Sequence, residues 1–329
     1  MRVRRRGRLR TLMAVLGSVG LLAAIVWRVE PARLVSILGH ARPLFVVCSV
    51  LSSAGALGML TIRWHLMAWL REVGDRISDS ARTALIGFGL TFVLPGAVFA
   101  DVAKSYHHSR RLHRPFPDLL VVCALDRFAG MLGLAGYGAL VLWVVWKWGG
   151  RRAGSEEIHW RLPSPLWVAA VGVVLGMAAM VILRRPAIRS AAERGRIRMR
   201  DGWNALRDRP RLLGLAALLS IAGNLMVAGT LAFGLASVSP DAVPWGRVLW
   251  TLPLIGLAAA FPLTVGGAGA REGAAIALWS SVGIAPPVAV AACLVTLAAN
   301  LFWAGIGGLL IGAPSAEPTN LREAFEHDA

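Results

Sequence analysis

Two stretches broken by proline and glycine decide the fold, FVLPGAVFADVAK at residues 92–104 and FPLTVGGAGAREG at residues 261–273. Each interrupts an apolar segment in a chain rich in bilayer-length apolar blocks. Because proline removes a helix donor and glycine weakens a helix, neither segment is predicted to be one continuous rod. Backbone freed at membrane depth must be buried in protein or face a water-filled cavity. We therefore predict two re-entrant hairpins, within Ala84–Ala100 and Arg247–Ile284.

The composition of the whole chain is that of a membrane protein. Of its 329 residues, 56% are apolar and 16% are charged, whereas soluble domains carry about 25% charged residues. Six further apolar blocks approach or exceed the length that crosses a bilayer. The predicted full spans are Leu12–Trp27, Pro43–Ile62, Leu119–Trp146, Leu166–Leu183, Leu212–Val238 and Pro287–Gly312. The predicted fold is an all-α polytopic membrane helix bundle, with six full spans and two broken-helix hairpins.

The distribution of basic residues predicts the orientation. Most of the 35 Lys and Arg residues lie in the N-terminal segment 1–11, around the first hairpin and in segment 184–211, which carries ten arginines. Since Lys and Arg accumulate in cytoplasmic loops, we predict a plasma-membrane protein with both termini in the cytoplasm. A single transmembrane domain, 12–312, then lies between the basic N-terminus and an acidic cytoplasmic tail, 313–329. The first hairpin enters from the cytoplasm and the second from outside.

The order of these elements predicts an internal repeat. Segments 12–146 and 166–312 each read as span, span, hairpin, span. Three crossings per half is an odd number, so the second half is predicted to be inverted relative to the first. In both hairpins a basic residue follows the proline by nine positions, and an acidic residue lies close to it. Inverted repeats with interrupted segments at matching positions are typical of transporter sites.

The breaks also predict a binding site. A helix that restarts inside the membrane presents unpaired N–H groups and a positive dipole end, and a nearby cation completes a seat for phosphate or carboxylate. The alternative is that Lys104 and Arg271 only reach for the interface or neutralise Asp101 and Glu272. The candidate substrate-binding residues are Pro95, Gly96, Asp101, Lys104, Arg127, Pro262, Gly266, Gly267, Gly269, Arg271 and Glu272.

Other polar and aromatic residues have simpler interpretations. Asp126 and Arg127 are adjacent and point about 100° apart on a helix, so each is expected to find another partner. Arg63 is interpreted as a cytoplasmic anchor, and Trp64 as part of an interfacial aromatic belt. The three cysteines lie in apolar blocks without a CxxC pair, so we expect neither a metal nor another cofactor. Basic residues interspersed with apolar blocks argue against nucleic-acid binding.

The motifs resemble the transmembrane domain of lysylphosphatidylglycerol synthases and its stand-alone, flippase-like relatives. The resemblance rests on Leu94–Gly96 with Asp101 and a basic residue three positions on, on an acid–Arg pair in the next span, and on the run Pro262–Gly273. It covers roughly residues 12–312. The family tends to have Asn before the Leu-Pro-Gly where this chain has Phe92, so the first half of the site is expected to be less polar.

The resemblance implies a function in lipid translocation. Bifunctional members carry an aminoacyl-transferase domain after the membrane part, whereas this sequence continues into a short acidic tail, so we expect no enzyme activity. The expected function is to move, or help to move, a lipid with an anionic headgroup between leaflets. Segment 184–211 is expected to bind anionic lipids at the cytoplasmic surface. The alternatives are a membrane-embedded accessory or scaffold protein for a lipid- or glycan-modifying enzyme of unknown identity, and a membrane-embedded transferase acting on lipid-linked substrates.

Overall fold

A computed structural model of the protein describes residues 27, 31–73, 76–94, 97–149, 186–239, 243–259 and 266–312. All the regular structure in these residues is α-helical. The helices are α1 Pro31–Gly39, α2 Pro43–Leu70, α3 Ile77–Leu90, α4 Ala97–Leu112, α5 Phe116–Gly149, α6 Pro186–Arg207, α7 Pro210–Val238, α8 Trp245–Val248, α9 Thr251–Ala259, α10 Ala270–Ser280 and α11 Pro286–Gly312.

Four of these helices are long and apolar enough to cross a membrane. They are α2, α7, Phe116–Val144 of α5 and Pro286–Ile311 of α11. The prediction of an all-α, multi-pass membrane protein is therefore confirmed, and these helices contain four of the six predicted spans. Apart from Trp27, the predicted spans Leu12–Trp27 and Leu166–Leu183 lie outside the described residues.

Proline marks where the helices begin. The fixed φ of proline suits the first turn of a helix, where its missing N–H has no intrahelical partner to lose. A helix-starting proline at the edge of an apolar block therefore sets the helix boundary without weakening the span. The helices that start in this way begin at Pro31, Pro43, Pro186, Pro210 and Pro286.

The long helices α2 and α7 pack against each other antiparallel. The Ser49 hydroxyl donates to the Thr230 carbonyl at 2.9 Å, and the Ser52 hydroxyl donates to the Met226 carbonyl at 2.8 Å. Gly229 faces Ser52 so closely that a β-carbon there would lie 2.6 Å from the Ser52 hydroxyl. Inside a bilayer the hydrophobic effect does not drive helices together, because the lipid tails are themselves apolar. Small residues at the contact and hydrogen bonds from hydroxyl groups to carbonyl groups hold the helices together instead.

Helices α3 and α4 form an antiparallel hairpin, which we call hairpin A (residues 77–112). At its base, Asp79 and Arg111 form an ion pair at 3.1 Å, and one turn higher Thr83 and His108 are hydrogen-bonded at 2.7 Å. The turn Thr91–Leu94 ends α3 at the predicted break. Pro95 and Gly96 lie outside the described residues.

Helices α9 and α10 form a second antiparallel hairpin, hairpin B (residues 251–280). The Trp279 indole N–H donates to the Thr251 hydroxyl at 2.9 Å at its base. Near its tip, Gly267 lies against the Ala259 carbonyl. Gly267 has a φ of +77°, in a region that side-chain-bearing residues rarely occupy, so glycine suits the tight turn into α10. Pro262 lies outside the described residues.

The two hairpins reach the middle of α11 from its opposite ends. Hairpin A lies along the C-terminal half, where a β-carbon on Gly307 would fall 2.0 Å from the Leu85 carbonyl oxygen. Hairpin B lies along the N-terminal half, where Arg271 contacts Cys293. Hairpin A and hairpin B therefore run in opposite directions along α11.

The tips of the hairpins contact each other. The Gly266 N–H donates to the Thr91 carbonyl at 3.0 Å. The Phe92 ring covers Gly266, since a β-carbon there would lie 2.5 Å from two ring carbons. Phe88 packs edge-to-face on Phe92, with ring centroids 5.6 Å apart. The junction combines a backbone hydrogen bond with an apolar contact from Phe92.

We expect Gly307→Ala to destabilise the protein, because the added methyl group would collide with the Leu85 backbone. Overpacking of this kind costs about 1–3 kcal/mol. Thermal unfolding in detergent, followed by size-exclusion of the surviving fraction, measures the change. Gly305→Ala is the matched control on the same helix, because its β-carbon would meet nothing within 4 Å. Equal melting temperatures for the two variants would contradict this packing.

Candidate functional site

The first candidate cluster is centred on Asp101, one turn into α4. The Asp101 carboxylate is buried and binds two cations, Lys104 at 3.1 Å and the Nε of Arg127. Lys104 is itself buried, with its ammonium 4.1 Å from the ring centroid of Trp64 and its stem against Gly87. The structure thus brings three of the predicted site residues together and fixes Lys104 inside the protein.

Arg127 differs from the other charged groups of this cluster because its side chain is 50% exposed. It lies 11 residues after the start of α5, about 16 Å along the helix axis. That depth is inside the apolar span Phe116–Val144. The surrounding exposed side chains on α4 and α5 are apolar: Phe99, Val102, Phe128 and Met131. A charged guanidinium therefore emerges on a surface that is otherwise suited to lipid tails.

Arg63 is the main residue whose role the sequence did not predict. Helix α2 continues eight residues beyond the predicted span Pro43–Ile62, to Leu70, so Arg63 lies inside the helix. Its guanidinium binds both carboxylate oxygens of Asp126, at 2.7 and 3.1 Å, and donates to the Ser220 hydroxyl at 2.9 Å. The prediction of a cytoplasmic anchor is wrong, since this side chain is a largely buried link between α2, α5 and α7.

The adjacent residues Asp126 and Arg127 do have different partners, as predicted. Asp126 binds Arg63 on α2, while Arg127 binds Asp101 on hairpin A. Trp64 does not belong to an interfacial belt, because only 1% of its surface is exposed. It lies beneath Lys104 instead. Both Arg63 and Trp64 were misinterpreted because the apolar block ends at Ile62, whereas the helix continues.

The second candidate cluster closes the start of α10. Glu272 is fully buried, and its carboxylate accepts hydrogen bonds from the Gly269 N–H at 2.6 Å and from Arg271 at 2.6 and 3.1 Å. This is one half of a capping box, in which the carboxylate of the third helical residue, Glu272, accepts from the N–H of the residue before the helix, Gly269. The protein's own carboxylate thus occupies a position where a bound anion was expected to receive backbone donors.

The two clusters lie on different hairpins and use similar chemistry. In each, a carboxylate near the hairpin tip pairs with a cation on the same hairpin, Asp101 with Lys104 and Glu272 with Arg271. Gly266 and Gly267 shape the tip of hairpin B, where Gly266 bonds hairpin A. Whether any of these residues binds substrate stays a prediction, and Pro95, Gly96 and Pro262 lie outside the described residues. In the part of the chain that the structure describes, no group of three or more His, Cys, Asp or Glu side chains could hold a metal ion.

These features define a multi-pass helical membrane protein with charged groups buried at the tips of two broken hairpins. The chain belongs to the family described as the lysylphosphatidylglycerol synthase TM region, whose family model matches residues 11–308. The resemblance predicted from the two motifs is confirmed, and it ties the protein to lipid handling. No curated protein matches the sequence significantly.

We expect Arg63→Met to lower the stability by about 3–5 kcal/mol, because it leaves the buried Asp126 carboxylate without its cation. The double variant Arg63→Met/Asp126→Leu should recover most of this loss. Arg71→Met is the control, since the Arg71–Asp118 pair is more exposed and should contribute less than about 1 kcal/mol. Melting temperatures in detergent provide the measurement, and a double variant less stable than Arg63→Met would contradict the assigned pairing.

Proposed function

We propose that this protein translocates, or helps to translocate, a lipid with an anionic headgroup between the leaflets of the plasma membrane. The observation that carries the proposal is Arg127, a half-exposed guanidinium on the apolar surface between α4 and α5. Membership of a family tied to lipid handling supports the same function.

The position of Arg127 explains why the substrate should be anionic. A charge near the bilayer centre costs about 2.5–3.5 kcal/mol on insertion scales, so such residues are rare and functional as a rule. The planar guanidinium can bind two oxygens of a phosphate at once. A lipid approaching sideways could place its phosphate on Arg127 while its tails stay against Phe99 and Met131, two exposed apolar residues nearby.

Asp101 can release Arg127 without being left as an isolated buried charge. Its carboxylate is shared between Arg127 and Lys104. When a phosphate draws Arg127 away, Lys104 continues to balance Asp101. The exchange replaces one charge-assisted hydrogen bond by another, so the energetic barrier to capturing and releasing the headgroup stays low.

The two hairpins supply the path across the membrane in this proposal. We interpret them as re-entrant segments from opposite faces, with the base of hairpin A in the cytoplasm and the two halves of the chain as an inverted repeat. Their opposite directions along α11 and the contact between Gly266 and Thr91 support this interpretation. The headgroup passes from Arg127 towards the Arg271–Glu272 pair on hairpin B. Both chain termini lie in the cytoplasm, as the basic residues indicate.

A second candidate function is a scaffold that binds partners through α6. The C-terminal part of this helix packs on the bundle, where Leu206 is buried and Trp203 stacks edge-to-face on Phe128 at 5.0 Å. Three arginines of the same helix, Arg196, Arg198 and Arg200, are exposed. Exposed arginines also attract anionic lipids, by about 1 kcal/mol per basic residue near the surface. Because α6 is part of the packed structure, deleting it would disturb the fold. The variant that tests the scaffold function therefore replaces these three arginines by glutamine.

We expect Arg127→Gln to reduce lipid translocation at least tenfold, equivalent to about 1.4 kcal/mol of lost stabilisation. The assay uses vesicles of phosphatidylcholine and phosphatidylglycerol containing the protein and fluorescent NBD-phosphatidylglycerol, which external dithionite bleaches only in the outer leaflet. Lys147→Gln is the control, because it removes an exposed charge near the end of the same helix. NBD-phosphatidylcholine tests whether the headgroup charge matters.

Two results would contradict the proposal. If dithionite bleaches the NBD-lipid of vesicles with wild-type protein no faster and no further than that of protein-free vesicles, the protein has no translocation activity. The scaffold function of α6 would then be the remaining candidate. Full activity in Arg127→Gln, with the same preference for phosphatidylglycerol as wild type, removes Arg127 from the path.

A further inference from the structure

Helix α4 has two distinct faces. Its buried face carries Asp101 and Lys104, which belong to the first candidate cluster. Its other face carries four exposed residues that follow one another at spacings of three or four, Phe99, Val102, Tyr106 and Arg110. At about 100° per residue, these four lie within about 80° of one another around the helix. They form one continuous line from the tip region of hairpin A towards its base, which we call the α4 stripe.

The deep end of the α4 stripe is apolar and lies at the level of Arg127. Phe99 and Val102 are exposed, and in the sequence they stand on either side of Asp101, the residue that binds Arg127. A lipid whose phosphate is bound to Arg127 can therefore keep its tails on this end of the stripe. The headgroup and the tails each find a surface of matching character.

The other end of the α4 stripe has the character of a membrane interface. The exposed Tyr106 ring packs edge-to-face on Phe116, the first residue of α5, with ring centroids 5.9 Å apart. Tyrosine is enriched where a membrane meets water, because its ring is apolar and its hydroxyl is polar. Arg110 is exposed one turn further towards the base. This end therefore lies at the level where lipid headgroups reside.

Arg110 differs from its neighbour Arg111 in its partners. Arg111 forms an ion pair with Asp79 within hairpin A, at 3.1 Å. Arg110 is exposed and forms no ion pair with any residue that the structure describes. A guanidinium that no carboxylate occupies can bind two oxygens of a phosphate at once. Arg110 is therefore accessible to an anionic headgroup.

The spacing between the two ends of the stripe matches the depth that a headgroup has to travel. Arg110 follows Asp101 by nine residues, which is about 14 Å along the helix axis. Half of the hydrocarbon core of a bilayer is about 15 Å thick. With Arg110 at the interface, the pair of Asp101 and Arg127 therefore lies near the bilayer centre. A first binding site at the interface would capture the headgroup before it moves inward.

Hairpin B has no counterpart to the α4 stripe. The exposed residues in the described part of this hairpin are all uncharged, namely Leu254, Leu257, Gly273, Ala277 and Ser280. Among the described residues of the two hairpins, an apolar stripe that ends on an exposed cation is therefore found on hairpin A only. This asymmetry favours the leaflet at the base of hairpin A as the side on which the lipid enters.

We propose that Arg110 is the loading site of the protein, where a phospholipid with an anionic headgroup binds before it moves along the α4 stripe to Arg127. The inference rests on the proposed translocation function. The lipid enters from the leaflet at the base of hairpin A, with its phosphate on the Arg110 guanidinium and its tails along Val102 and Phe99. Arg127 then takes over the phosphate at the deep end of the same stripe.

A saturation experiment separates loading from the later transfer. Vesicles of phosphatidylcholine contain the protein and a varied fraction of NBD-phosphatidylglycerol, and external dithionite reports the arrival of the label in the outer leaflet. Arg110→Gln should raise the half-saturating fraction of NBD-phosphatidylglycerol about fivefold, the effect of one basic residue near a membrane surface. Its maximal rate should stay at the wild-type value. Arg127→Gln should lower the maximal rate, because it acts after loading.

Arg76→Gln is the matched control. Arg76 is also exposed at the base of hairpin A, but it precedes α3 and does not belong to the α4 stripe. Its replacement should leave the half-saturating fraction unchanged. Arg110→Lys keeps the positive charge and should recover most of the lost affinity. All three variants alter exposed side chains, so their melting temperatures in detergent should equal that of the wild type.

Photo-crosslinking detects the bound lipid without any need for transport. Phosphatidylglycerol with a diazirine in one acyl chain should label the peptide of α4, residues 97–112, more strongly than phosphatidylcholine with the same diazirine chain. Arg110→Gln should remove this preference for phosphatidylglycerol, whereas Arg76→Gln should retain it.

The outcomes distinguish this inference from the proposed function. If Arg110→Gln and Arg76→Gln have the same half-saturating fraction, Arg110 is only an interface anchor and the loading site is overturned, while the translocation function stands. If wild-type protein translocates no lipid, the proposed function is overturned. Labelling of α4 that depends on Arg110 would in that case still support a lipid site at the stripe, and labelling without any preference for phosphatidylglycerol would overturn that site as well.

Discussion

The hydrogen bond from the Gly266 N–H to the Thr91 carbonyl joins two helix ends that lipid alone could not accommodate. Each backbone group left unsatisfied in hydrocarbon costs several kcal/mol, so a broken helix is tolerated only where protein or water takes up the freed groups. Where the described ends of the two hairpins meet, at the middle of α11, this hydrogen bond satisfies one such group on each hairpin. The Phe92 ring packs on Gly266 at the same junction.

The junction also determines where charge can be placed. Asp101 and Glu272 are buried close to the described ends of the tips, and each is paired with a cation. Buried pairs of this kind contribute little net stability, but removing one partner is costly. Arg127 is the exception in its environment, since half of its side chain faces outward. A fixed internal framework with one accessible cation suits capture of a phosphate from the lipid side.

The sequence predicted the features that depend on local chemistry. Proline and glycine within apolar segments predicted that the helices end near both breaks, and the adjacency of Asp126 and Arg127 correctly predicted that each would need another partner. The tertiary partners could not be predicted in this way. Arg63 follows the last residue of an apolar block and therefore resembled an anchor, yet α2 continues past it and Asp126 neutralises it inside the bundle. The burial of Trp64 follows from the same extension of α2.

The arrival of the hairpins from opposite sides of the membrane is the central claim, and single-cysteine labelling tests it directly. In protein whose three native cysteines are replaced, Arg76→Cys and His113→Cys flank hairpin A, while Gly246→Cys and Ser281→Cys flank hairpin B; all four positions are exposed. A membrane-impermeant maleimide should label the first pair from the cytoplasmic face only and the second pair from the outer face only. Labelling of the two members of one pair from different faces would mean that this hairpin crosses the membrane, which contradicts the account.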